Sequence, residues 1–148
     1  MNTHDDRHQI FKDIDVEHAE MRTLLASVHK VLADRSQPAS EVVATLDSFF
    51  GFLQTHFKHE DEGGFFDEIT EQSPRLSERA DEVQGEHAAL LEECQTLKDL
   101  AAKREANDAW WDQLNSGFHR LSKQLMHHEH REEDLLQESF TDEIGTGD

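Results

Sequence analysis

Basic charge is what this 148-residue chain has least of: 14 lysines and arginines stand against 33 aspartates and glutamates, a formal net charge of −19. A phosphate-backbone partner needs a basic face that releases counterions, so nucleic acid is excluded as a partner. Cysteine is nearly absent, and the single Cys94 cannot close an internal disulfide. The opening "MNTHDDRHQIFKD" lacks the basic start and apolar run of an export signal, which points to a reducing cytoplasm. No apolar run approaches the roughly 20 residues that span a bilayer, so a soluble protein without a membrane partner is expected. Also missing are a Gly-rich phosphate loop, paired cysteines at zinc-finger spacing and a Gly-x-Ser-x-Gly elbow. Nine phenylalanines and two tryptophans in a regular pattern argue against the disorder that strong acidity alone would suggest.

With two prolines and seven glycines, mostly between periodic segments, the chain reads as long helices with few breaks. The first runs from about Ile10 to Asp34 and stops before "RSQPAS". The second starts near Pro38 and is ended by Gly63 and Gly64, after which a short turn around "FFDEI" plugs one end of the core. Ser73 and Pro74 suit an N-cap and first turn, so the third helix is expected from there to about Lys103. Asn107 can cap the fourth, which ends near Phe140. Four helices of about 37 Å with short connections predict an all-α, antiparallel, up-down-up-down four-helix bundle. The expected organisation is a single domain over 1–148, with a bundle core at about 10–139, an N-terminal lead at 1–9 and a frayed tail at 141–148.

What the chain has in excess is histidine, with eleven. The densest cluster is "HHEHREE" at 127–133, and helical facing divides it. His128 follows Leu125, Leu121 and Phe118 by 3, 7 and 10 residues and shares their core stripe, as does Glu132 one turn on. His127, Glu129, His130 and Arg131 read as solvated. The second helix repeats the pattern: Leu53, Phe49 and Leu46 precede His56 at the same offsets, and Glu60 follows by 4. Segments 46–60 and 118–132 are therefore an internal repeat of 72 residues. "EHAEM" and "EHAAL" place His18 and His87 on the apolar faces of the first and third helices. The midpoint of His18 and His56 is position 37, that of His87 and His128 is 107.5, and that of Glu60 and His87 is 73.5. All three fall on the turns, so the four imidazoles and two carboxylates share one layer of the core.

Two carboxylates buried with no inward lysine or arginine would be uncompensated, at several kcal/mol per ion. Divalent cations remove that cost. The repeat divides the ligands: His18 and His56 on one metal, His87 and His128 on the other, Glu60 and Glu132 bridging. Imidazole with carboxylate suits Fe, Mn, Zn or Co, and affinity order does not select among them.

The order His, His-x3-Glu, His, His-x3-Glu, with "HFKHEDEGGFF" after the second histidine, resembles the hemerythrin-like (HHE cation-binding) family over about residues 10–139. The resemblance implies a four-helix bundle around two Fe ions, an oxo- or hydroxo-bridged non-haem di-iron centre, with His18, His56, Glu60, His87, His128 and Glu132 as metal ligands. Zn or Mn is the lesser alternative. Family members that carry oxygen reversibly have another histidine one turn after the third-helix ligand; here that residue is Leu91. The departure points to members that meet O2, NO or peroxide in sensing, stress response or iron-centre repair, with a small diatomic gas or peroxide as partner alongside an unidentified redox or protein partner. Reversible O2 binding or iron storage and donation is the alternative, and a Zn-bound or metal-free helical interaction module a further one. Oxygen carriers also favour His-x4-Asp on the last helix, which Glu133 would match in spacing, but the repeat with Glu60 selects Glu132. Of the rest, His29 is expected to be a boundary histidine facing the bundle three turns from His18, Cys94 a small core residue, and His4 and His8 surface residues.

Overall fold

The computed structural model describes residues 3–103 and 105–146; the side chains of residues 3–8, with His4 and His8 among them, and of residue 146 lie outside the described set. The described residues are all helical apart from turns: α1 (Thr3–Asp34), α2 (Ala39–Glu62), α3 (Phe65–Gln72), a 3-10 turn (Pro74–Leu76), α4 (Ser77–Ala102) and α5 (Asp108–Thr146). The four long helices form a closed ring in which α1 packs on α2, α2 on α4, α4 on α5, and α5 on α1. No described helix is long and apolar enough to cross a membrane.

Three boundaries differ from the sequence reading. α1 begins at Thr3, so the expected lead at 1–9 is largely helix: nothing in "HDDRHQ" breaks the pattern, and acids in a first turn favour the positive end of the helix dipole. α5 continues past Phe140 to Thr146, so the expected tail is mostly helix too; no glycine or proline interrupts it before Gly145. Ser73 does not cap α4. Its side chain makes no capping hydrogen bond, and Pro74 opens the 3-10 turn, which delays α4 to Ser77.

Other signals act as read. Asn107 Oδ1 accepts the backbone N–H of Trp110 at 2.9 Å, an N-cap for α5. Gly63 closes α2, and Gly64 takes φ of 92°, a left-handed conformation that suits glycine, to turn the chain into α3. The "FFDEI" segment forms the eight-residue α3, which buries Phe65, Phe66 and Ile69 and touches all four long helices.

The core has two apolar parts. The larger runs from Met21, Leu25 and Leu32 through Phe49, Leu53 and Leu90 to Trp110, Phe118 and Leu125. The smaller joins Ile10, Ile14, Phe65, Phe66, Ile69, Val83 and Leu135 under the α3 plug. On each long helix a histidine falls at the junction: His18 lies between Ile14 and Met21, and His87 between Val83 and Leu90. His128 and Glu132 sit between Leu125 and Leu135, and His56 and Glu60 between Leu53 and the plug.

Asn107→Ala should lower stability by about 1 kcal/mol in chemical denaturation, whereas Asn107→Asp, which also caps, should cost far less.

Candidate metal centre

All six residues expected to face inward are buried, with Glu60 and Glu132 at 0% exposure. Their donor atoms form two groups that share both carboxylates: His18, His56, Glu60 and Glu132, and Glu60, His87, His128 and Glu132, each spanning no more than 4.8 Å between atoms. Glu60 places Oε2 3.3 Å from His18 Nε2 and 3.4 Å from His56 Nε2, and Oε1 3.0 Å from His87 Nε2. Glu132 mirrors it, with Oε1 3.0 Å from His18 Nε2 and Oε2 3.3 Å from His128 Nε2 and 3.6 Å from His87 Nε2. Ring centroids are 5.1 Å apart for His18 and His56 and 4.9 Å for His87 and His128, so the two halves repeat closely.

The periphery also obeys the repeat, which the sequence reading did not detect. His56 Nδ1 donates to Glu17 Oε1 at 2.8 Å, and His128 Nδ1 donates to Glu86 Oε1 at 2.8 Å. His18 Nδ1 faces Glu133 Oε1 at 3.2 Å, and His87 Nδ1 lies 3.0 Å from Asp61 Oδ1. Each acid adjoins a site residue: Glu17 and Glu86 precede His18 and His87, and Asp61 and Glu133 follow Glu60 and Glu132. Acids at both points of both units were the available signal. Because an ionised carboxylate can only accept, the Nδ1 atoms of His56 and His128 carry hydrogens, which leaves Nε2 of both rings to face the centre, the arrangement that orients metal-binding histidines.

Glu129 departs from expectation. Read as solvated, it is 3% exposed, and Arg22 reaches across from α1 to pair with its Oε1. It follows Leu125 by four residues, about 40° round the helix, and so borders the apolar stripe. Its charge had argued for water; a long guanidinium from the next helix covers it instead. His127 and His130 are exposed, and Arg131 is part-buried against Glu86. His29 is half-buried, with Nε2 2.9 Å from Ser122 Oγ and its ring against Phe118, and burial followed by His119 lowers its pKa. Burial pushes the Cys94 thiol up to about 12, in keeping with a small core residue. Leu91 is part-buried against the larger apolar cluster and brings no ligand atom.

The donor set fits a pair of cations. Glu60 Oε1, Glu132 Oε2, His87 Nε2 and His128 Nε2 are buried without a hydrogen bond among protein atoms, and all four turn toward the shared centre. Without cations, protons take their place. Burial works against a charged His18, yet Glu132, Glu133 and Glu60 outweigh it and raise its pKa to about 12. Burial likewise opposes a charged His87, and Glu132 and Glu60 raise it to about 10. Burial also opposes ionisation of Glu132, but His128, His18 and His87 hold its carboxyl well below the usual range.

For a raised histidine the stabilising proton is fully bound below the ordinary pKa of 6.5 and is lost as pH climbs through the folded value. The metal-free bundle should therefore weaken through about 10 and about 12 as His87 and His18 lose their protons. Cation loading near neutral pH should release at least the two protons of His18 and His87 per chain, measurable by calorimetry in buffers of differing ionisation enthalpy. Glu86→Gln, which removes the carboxylate on His128 Nδ1, should weaken cation binding by about 10- to 100-fold in competition with a chelator.

The comparisons with known proteins agree with this geometry. The model of the hemerythrin HHE cation-binding domain matches residues 9–140. No curated protein and no solved structure matches the chain. The match spans the ring of helices, the plug and all six buried residues, and the chain belongs to the hemerythrin HHE cation-binding domain family.

Proposed function

We propose that the chain, as a single domain over residues 1–148, holds two iron ions and meets O2, NO or peroxide in a sensing, stress-response or iron-centre-repair role in the cytoplasm. The carrying observation is the pair of four-residue groups that share Glu60 and Glu132. His18 and His56 would hold one ion and His87 and His128 the other, with both carboxylates between them. Four protein ligands per ion are fewer than an octahedral metal accepts, which leaves positions for a small ligand. When bound, the iron pair would supply electrons and Lewis acidity to such a ligand.

The protein's own part is orientation and exclusion. Glu17 and Glu86 fix the imidazoles of His56 and His128 through Nδ1, so each ring presents one nitrogen inward. Phe57 stacks on His87 at 4.1 Å between centroids, and Phe66 meets the same ring edge-on, which keeps that side of the layer dry. Leu91 stands one turn after His87, where a further imidazole would fill a coordination position. That position stays free, which favours reaction over reversible oxygen carriage.

Metal analysis of protein purified without a histidine tag should give about two irons per chain. His128→Ala should lose one ion and part of the thermal stability, and exposed His127→Ala neither. The anaerobically reduced protein should change its iron absorption on exposure to O2, NO or peroxide; no change with any of the three would sink the reactive reading.

A further inference from the structure

The two halves match in the layer and in the acids that face its Nδ1 atoms, and they part at Glu129. Subtracting the 72-residue repeat places Phe57 at the equivalent position (129 − 72 = 57). The α1-to-α4 offset of 69 places Leu91 opposite Arg22 (22 + 69 = 91). One half therefore has an aromatic ring and a leucine where the other has a buried carboxylate and a guanidinium. A structural role shared by both halves would not need the charged pair.

Glu129 Oε2 is buried without a hydrogen-bond partner, in a residue 3% exposed. Glu129 and Glu133 lie one turn apart on α5, and with His18 Nδ1 they form a third set of donor atoms within 4.8 Å of one another. His18 Nδ1 stands 3.8 Å from Glu129 Oε1 and 3.2 Å from Glu133 Oε1. Glu133 is 38% exposed at its side chain, so the group runs from the surface to the back of a ring whose Nε2 faces the core. A cation already sits there: the guanidinium of half-exposed Arg22, on Glu129.

We propose that Glu129 and Glu133 form an outer divalent-cation site, a loading position from which ions pass inward past His18 to the paired centre. It rests on the paired-centre reading. The ion displaces the Arg22 guanidinium from Glu129 and takes carboxylate oxygens and water, a donor set suited to Fe2+, Mn2+ or Co2+. His18 lies between the two positions, with Nδ1 toward Glu129 and Glu133 and Nε2 toward the core carboxylates.

The test uses the metal-free full chain mixed with Co2+, with core filling followed by absorbance and the final count by metal analysis. Glu129→Gln, close in shape, should slow filling by about tenfold or more while the count stays at two. Arg22→Ala, which removes the competing cation from a half-exposed position, should speed it. Glu92→Gln on the exposed face of α4 controls for lost charge and should leave the rate unchanged. Wild-type rates in both Glu129→Gln and Arg22→Ala, slowed filling in Arg22→Ala, or a reduced final count in Glu129→Gln would overturn the outer site. A wild-type count well below two would instead overturn the paired centre.

Discussion

Two carboxylates at the middle of a helical bundle, with no lysine or arginine on them among the described residues, constrain everything else in this protein. Glu60 and Glu132 are wholly buried, and such charge costs several kcal/mol per ion unless it is matched. Four imidazoles, one from each long helix, are the groups placed to match it. Whether they do so as protonated rings or as ligands to cations, the helices must bring them to one level. That requirement fixes the lengths of the connections, the register of each hairpin and the repeat itself. The surrounding acids follow in turn, because a ring free to rotate would present the wrong nitrogen as often as the right one.

Much of this was legible from spacing. Helix number, the capping Asn107, the inward six and their division into two groups all follow from offsets of 3, 4 and 7 residues and from equidistance about the turns. Those are rules about backbone geometry, and long helices with few breaks obey them well. The misreadings were of another kind. Helix ends at Thr3 and Thr146 lie beyond the last apolar signal, where propensity and the absence of a breaker decide. The delayed start of α4 depends on the local conformation at Ser73. Glu129 was misplaced because charge was weighted above angle, and the compensating Arg22 comes from a helix that no local pattern connects to it. The Nδ1 partners were overlooked because half-exposed acids in an acidic chain carry little information singly; only their recurrence beside each site residue distinguishes them.

The departures from the internal repeat are informative for the same reason. A symmetric layer requires symmetric neighbours, so Phe57 against Glu129 and Leu91 against Arg22 are asymmetries that folding alone does not demand. One half is closed by aromatic stacking on His87, and the other by an ion pair that water and ions can compete with. The strongly acidic exterior, with its net charge of −19, raises the local concentration of cations at every face and cannot itself choose a route. Choice requires a place where buried and exposed carboxylates meet.

The division of the apolar core into two clusters has a thermodynamic meaning. The cluster under α3 is the smaller, and it meets the larger across the layer of histidines and glutamates. Cooperativity between the ends therefore passes through polar contacts whose strength depends on what occupies the layer. A filled layer welds the two ends into one unfolding unit. A discharged one turns the layer into a seam, and the plugged end, with less buried surface to hold it, becomes the part of the molecule that opens first.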